Sequence, residues 1–213
     1  MIELDARDCW RAQIGHVEMG CVLDYQDLPK SGEIRALKQV HGADILTDQD
    51  TCHENSMGDG LVSDRDKVTL VIRTADCVPV HVTDGRRIAA LHAGWRGTAK
   101  GIVRRLPEFF QMDAVTVFLG PAISQENYEV GPDLYEEWSQ REPVLNQFLQ
   151  QPNPSSDRRF LDVRGMIQRQ LLDMGVSQDQ IHQVPRCTFA SRLPSYRREG
   201  AAAARIFNYI KRG

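Results

Sequence analysis

What the 213-residue chain lacks narrows its function before any motif is considered. No stretch approaches the roughly 18 consecutive apolar residues of a membrane-spanning helix, and the opening residues, MIELDARDCWRAQIG, carry acids where a secretory leader has an apolar core. Excess positive charge is missing as well: 26 Lys and Arg stand against 29 Asp and Glu, a net charge of −3, so no global positive field recruits nucleic acid. The cysteines, Cys9, Cys21, Cys52, Cys77 and Cys187, are odd in number and scattered, which argues against a disulfide framework and for the reducing cytoplasm. CxxC, HExxH and P-loop patterns are absent, nothing repeats at a short period, and the six histidines form no HxH pair. We therefore expect a soluble cytoplasmic protein with no nucleic-acid or membrane partner, residues 1–213 forming a single domain. The oligomeric state is not written in the sequence.

What is present is a succession of short apolar runs ending in chemistry-bearing residues. Val68 to Ile72 is continuously apolar or β-branched, the pattern of a strand buried on both faces, and Cys77 follows it. Val78, Val80 and Val82 alternate with Pro79, His81 and Thr83, Asp84 and Gly85 make a turn, and Ile88 to Leu91 predicts a third strand ending at His92. Upstream, Ile34 to Val40 reads as a strand with His41 at its end, before Gly42. Strand ends that open into glycine-bearing turns present side chains on a rigid base.

His41, Cys77 and His92 thus make one soft and two borderline donors, a set that suits zinc with an open fourth position, as a catalytic site keeps. The residue pattern alone leaves a second outcome open, a buried thiol with two hydrogen-bonded histidines, and that is the commoner one. Cys52 and His53 are also donors, but adjacent donors on a polar loop, here Thr47 to Gly60, are more often solvated bystanders.

The rest of the chain reads as support. Leu4, Trp10, Ile14, Val17 and Val22 predict one or two short strands, and Asp24 to Gly32 a loop. Ala99, Ile102, Val103, Leu106 and Phe110 recur at helical spacing, which predicts a helix beginning near Thr98. Ala114 to Leu119 predicts a buried strand, Pro132 opens a helix carrying Leu134 and Trp138, and Gln150 to Arg159 is a surface loop. Asp162 caps a helix whose stripe is Val163, Met166, Ile167, Gln170, Leu171 and Met174, with Gly175 as its stop. Ile181 to Val184 is a short strand, and Ala202 to Ile210 predicts a terminal helix.

The segments KQVHGADI, RTADCVPV, HAGWRGTAKGIV, GPAI followed by YEVG, FLDV, and CT followed by SYRREG resemble, in order and spacing, the laccase-like multicopper polyphenol oxidoreductase domain family. Members of this family are described as zinc-dependent purine nucleoside phosphorylases with adenosine deaminase activity, and in some bacteria as peptidoglycan editing factors. The resemblance implies an α/β (α+β) fold, a four-layer α/β/β/α sandwich with mixed sheets. It also implies metal binding by His41, Cys77 and His92, with a purine nucleoside and phosphate as small-molecule partners. GDGLVSD resembles a family segment whose aspartate lies near the active site, which brings in Asp59 as a group able to orient a ligand or accept a proton; a turn residue beside Gly60 is the equal alternative.

Phosphorolysis needs a held phosphate, for which Lys38, Arg73, Arg96 and Arg197 are the candidates, while Asp59 or Asp76 could move protons. Lys38 replaces an arginine common in relatives, and any one arginine is as readily a solvated surface group. Three other functions stay beside this one. A copper polyphenol oxidase needs more paired histidines than this chain has. A cysteine hydrolase would use Cys77 as nucleophile and His92 as base. A peptidoglycan-precursor editing factor would bind without turning over nucleosides.

Overall fold

The longest strand pairing among the described residues joins Ile206–Arg212 antiparallel to Val68–Thr74, and it lies within a six-stranded sheet. The order of that sheet is Glu3–Leu4, Trp10–Ile14, Val17–Val22, Ile206–Arg212, Val68–Thr74 and Glu33–Ala36, with only the last pair parallel. A second six-stranded mixed sheet runs Ile181–Gln183, Thr116–Leu119, Val78–Thr83, Ile88–Ala93, Gly60–Ser63 and Ile45–Thr47, its two outermost pairs parallel. A three-stranded sheet, Glu129–Val130, Arg159–Leu161 and Leu149–Gln150, lies beside it in sequence. This computed structural model describes every residue except 31, 50–55, 133, 137–142, 153, 154 and 156, and the side chains of 143–145. Cys52, His53 and Trp138 therefore lie outside the described residues.

Alternation along the strands assigns the layers. Ile88 and Ala90 face the first sheet together with Trp10, Met19, Leu70, Ile72, Phe118 and Ile210. Ala89 and Leu91 face the other way, with Val80 and Val82, against Ile102, Leu106 and the apolar stripe of the Val163–Asp173 helix. That helix is capped as the sequence predicts, the Asp162 carboxylate accepting from the Gly165 N–H at 2.8 Å. The outer face of the first sheet carries Val22, Val71, Tyr209 and Phe207 under a single 3-10 turn, Tyr25–Asp27, and Leu28, so the fourth layer of this α+β sandwich is thin among the described residues. No helix among them is long and apolar enough to cross a membrane.

Four local expectations are corrected. The chain's last segment is a strand, Ile206–Arg212, preceded by a 3-10 turn at Gly200–Ala202, and it is not a helix over Ala202 to Ile210. The alanine run favours helix locally, but IFNYIKR is β-branched and aromatic and gains two strand partners in the centre of a sheet. The helix expected from Thr98 is instead a short one, Trp95–Ala99, followed by a 3-10 stretch, Val103–Glu108. Gly101 at φ +83° and Pro107 interrupt the helical period. The strand expected over Ile34 to Val40 covers only Glu33–Ala36, and His41 sits beyond it at φ +57°. Three strands, not one or two, form before residue 23.

His81 is a buried irregularity in the inter-sheet core. It is 0% exposed, tilted against Trp10 at 5.6 Å, and neither ring nitrogen has a hydrogen-bond partner among the described residues. Burial disfavours the imidazolium and lowers its pKa from 6.5 to about 3. The unfolded chain therefore takes up a proton below 6.5 that the native chain refuses, and stability falls as pH drops from there toward 3. The slope from this one group reaches about 1.4 kcal/mol per pH unit. In urea unfolding, His81→Leu is expected to match or exceed the parent's stability at pH 7 and to flatten its loss between pH 6.5 and 4; an unchanged slope would contradict the assignment.

Candidate metal centre and anion cleft

The site lies where the two large sheets hand the chain over to each other. Residues 75–77 connect Val68–Thr74 of the first sheet to Val78–Thr83 of the second, so Cys77 sits on the crossover itself. His92 is the penultimate residue of Ile88–Ala93, opposite Pro79. His41 comes from the loop after Glu33–Ala36. The donor atoms of His41, Cys77 and His92 all lie within 4.8 Å of one another, with His41 exposed, Cys77 half-buried and His92 buried. The two imidazoles meet edge to face, ring centres 4.8 Å apart.

One carboxylate arranges both histidines. Asp59, fully buried just before the Gly60–Ser63 strand, accepts the backbone N–H groups of Val40 at 3.2 Å, His41 at 3.0 Å and Gly42 at 2.7 Å. His92 Nδ1 contacts the same carboxylate at 2.8 Å, and the His92 N–H donates to the Asp59 carbonyl at 2.7 Å. A carboxylate at Nδ1 fixes the proton there and leaves Nε2 as the donor atom. Burial opposes the charge on Asp59, but His92 and the N–H groups of Gly42 and Val40 outweigh it and hold the carboxyl below its usual range. Desolvation likewise opposes the imidazolium of His92, and Asp59 together with Cys77 raises it to about 9. For Cys77, desolvation raises the thiol, while hydrogen bonds and charge from His41 and His92 bring it down to about 6.

These residues fit a resident divalent ion. A thiolate and two imidazoles are borderline-soft donors, three in number, with a carboxylate behind one of them. Gly94 keeps the space around the sulfur clear, since a Cβ there would stand 2.9 Å from Cys77 Sγ.

Beside this group runs a cleft of about 340 Å³ whose walls include Trp95, Arg96, Tyr128, Glu129, Leu134 and Arg197. Each arginine lies over an aromatic ring, Arg96 over Trp95 at 4.2 Å and Arg197 over Tyr128 at 5.0 Å, and Arg197 also donates to the Glu129 carbonyl at 2.6 Å. The Tyr128 hydroxyl is held in its neutral form by burial, with the nearby Cys77 adding to the shift. Lys38 and Arg73 do not line the cleft. The Lys38 backbone forms an isolated parallel bridge with Met57, and the Arg73 backbone exchanges hydrogen bonds with the Gln39 side chain while its guanidinium donates to the Leu37 carbonyl. Arg198, the neighbour of Arg197 in SYRR, is consumed by carbonyls of Thr188, Phe189, Ser191 and Leu193. A larger cleft, about 550 Å³, beside Cys9 and Cys21 contains none of these donors.

Sequence reasoning passed over Tyr128 and Trp95, although YEVG and HAGW mark both. Trp95 stands next to Arg96 in the chain and was open to reading as its stacking partner, whereas only the fold brings Tyr128 to Arg197.

Residues 22–212 match the profile of the family described as multi-copper polyphenol oxidoreductase laccase. A purine nucleoside phosphorylase of a Synechocystis species is 33% identical, the alignment covering 80% of this chain and 77% of that protein. A purine nucleoside phosphorylase of Mycobacterium tuberculosis is 36% identical over 76% of this chain and 66% of its own length. The crystal structure of a Neisseria meningitidis protein of family DUF152 superposes with a TM-score of 0.82 at 24% identity, covering 96% of this chain and 98% of that one, a likeness of fold.

If Asp59 orients His92 and the His41 loop as described, Asp59→Ala should weaken metal binding by about 10- to 100-fold, measured against a chromophoric chelator. Unchanged metal affinity in that variant would show that the two histidines are positioned without it.

Proposed function

The chain belongs to the multi-copper polyphenol oxidoreductase laccase family, and from that membership and the geometry of its site we propose that it is a zinc-dependent purine nucleoside phosphorylase that also deaminates adenosine. The observation that carries this reading is the convergence of one thiol and two imidazoles beside a cleft lined by two arginines. His41, Cys77 and His92 hold the metal, and Asp59 orients His92. A bound zinc ion would supply Lewis-acid polarisation of a ligand at its open position.

Phosphorolysis exchanges the N-glycosidic bond for a bond to phosphate, giving free base and ribose 1-phosphate. Arg96 and Arg197, stacked on Trp95 and Tyr128, hold the phosphate, because planar guanidiniums match its oxygens and the aromatic faces keep them in place. Lys38 and Arg73 stand outside the cleft and are not assigned to the phosphate. Deamination instead exchanges the purine amino group for the oxygen of water, releasing ammonia. We read the chain as one cytoplasmic domain, its two large sheets sharing a buried core and its described cysteines free.

The copper oxidase reading is disfavoured on donors: among the described residues a single group of three is placed to hold an ion, whereas laccase chemistry needs several coppers. A metal-independent cysteine hydrolase is the second reading, favoured by the contact of the Cys77 thiol with both imidazoles.

Protein purified without chelator is expected to convert inosine to hypoxanthine and ribose 1-phosphate only when phosphate is present, and adenosine to inosine without it. His41→Ala, Cys77→Ala and His92→Ala should each lose bound metal and at least about 100-fold in activity, more than the removal of a supporting group costs. Full activity after metal removal, with a covalent adduct on Cys77, would favour the hydrolase; full activity and metal content in Cys77→Ala would overturn both readings.

A further inference from the structure

We propose that Asp76 is a positioning residue that locks the phosphate-binding Arg197 to the metal-binding Cys77; the proposal rests on the phosphate role given above to Arg96 and Arg197. Asp76 immediately precedes Cys77 and is 9% exposed. Its backbone adopts φ +88°, a left-handed conformation that a residue with a side chain enters only when the surroundings hold it there. Those surroundings are specific. One carboxylate oxygen accepts the Thr188 hydroxyl at 2.6 Å, and the other accepts the backbone N–H of Arg197 at 2.6 Å. The Asp76 carbonyl accepts the Ile123 N–H at 3.0 Å.

Three segments remote in sequence from Asp76 are therefore tied to the residue before Cys77: the loop after Thr116–Leu119, the loop carrying Thr188, and the short Tyr196–Glu199 helix that carries Arg197. Each carboxylate oxygen of Asp76 accepts one of these hydrogen bonds, an arrangement that holds geometry. Arg197 needs such an anchor. Its guanidinium reaches the cleft from a helix of four residues, a length that gives little stiffness of its own. The Asp76 carboxylate fixes the Arg197 backbone relative to Cys77, while the Glu129 carbonyl and the Tyr128 ring fix its guanidinium, so Asp76 is the direct link between the phosphate-binding arginine and Cys77. Asparagine at this position would place an N–H donor against one of two donors and release one of the two ties.

The test is a double-mutant cycle on the full-length protein with inorganic phosphate as the probe, its dissociation constant read by calorimetry in the parent, Asp76→Asn, Arg197→Ala and the double variant. Asp76→Asn is expected to weaken phosphate binding by about tenfold, the scale of a hydrogen bond to a charged group. The double variant should bind phosphate no more weakly than Arg197→Ala alone, because Asp76 acts through Arg197. In steady-state turnover of inosine, Asp76→Asn should raise KM for phosphate by about the same factor while kcat at saturating phosphate changes less than about twofold and bound metal stays stoichiometric. Additive losses, or an equal fall in kcat with loss of metal, would overturn the proposal and leave Asp76 as a general stabiliser. Parent-like phosphate binding by Arg197→Ala would remove the phosphate assignment itself, and the clamp with it. Thr188→Val, which takes away only one tie, supplies the same comparison with less disturbance beside Cys77; phosphate affinity equal to the parent's in both Thr188→Val and Asp76→Asn would likewise reject the clamp.

Discussion

The arrangement of this site depends on a buried carboxylate that is fully spoken for. An ionised aspartate out of contact with water is expensive unless hydrogen bonds replace its hydration, and Asp59 receives them from three consecutive backbone N–H groups and one imidazole. The consequence is structural before it is chemical. The Val40–Gly42 turn, which has no strand to hold it, is pinned to the second sheet through Asp59, and this is how His41 can occupy a left-handed conformation in an exposed loop and still point at a fixed neighbour. The same carboxylate dictates which nitrogen of His92 is free.

The two sheets then do what a single sheet would not. Their crossover carries Cys77, the end of one strand carries His92, and the loop entering from the other sheet carries His41, so the donor group exists only where both sheets meet. Burial on both faces of the second sheet makes its strand ends a rigid platform, while the cleft walls come from short helical turns and from Tyr128 beside the three-stranded sheet. The arginine-lined cleft is thus built from shorter elements than the three-donor group, and its arginines are held by stacking and by ties such as that of Asp76 to Arg197.

Much of the fold was legible because its strands announce themselves. Val68–Thr74, Val78–Thr83 and Ile88–Ala93 are runs or alternations that a buried sheet explains, and Asp162 and Gly175 bracket the Val163–Asp173 helix with its cap and stop. The terminal strand was missed because the alanine run before it speaks for helix, and the β-branched and aromatic residues of IFNYIKR are settled as strand by partners remote in sequence. In the site, the three donors could be named from the residues that end each strand. The hold of Asp59 on the His41 loop could not, because an aspartate before a glycine reads equally as a turn. Nor could the division of the four cations, as nothing local in the sequence tells Arg96 and Arg197, which line the cleft, from Lys38 and Arg73, which do not.

The central claim is that His41, Cys77 and His92 share one metal ion that keeps room for a reactant. X-ray absorption spectroscopy at the edge of the metal found in protein purified without chelator tests it most directly. For zinc, the account predicts one sulfur at about 2.3 Å, two imidazole nitrogens at about 2.0 Å and one further light ligand, with the sulfur lost in Cys77→Ser. A shell without sulfur, or one closed by four protein donors, would contradict it.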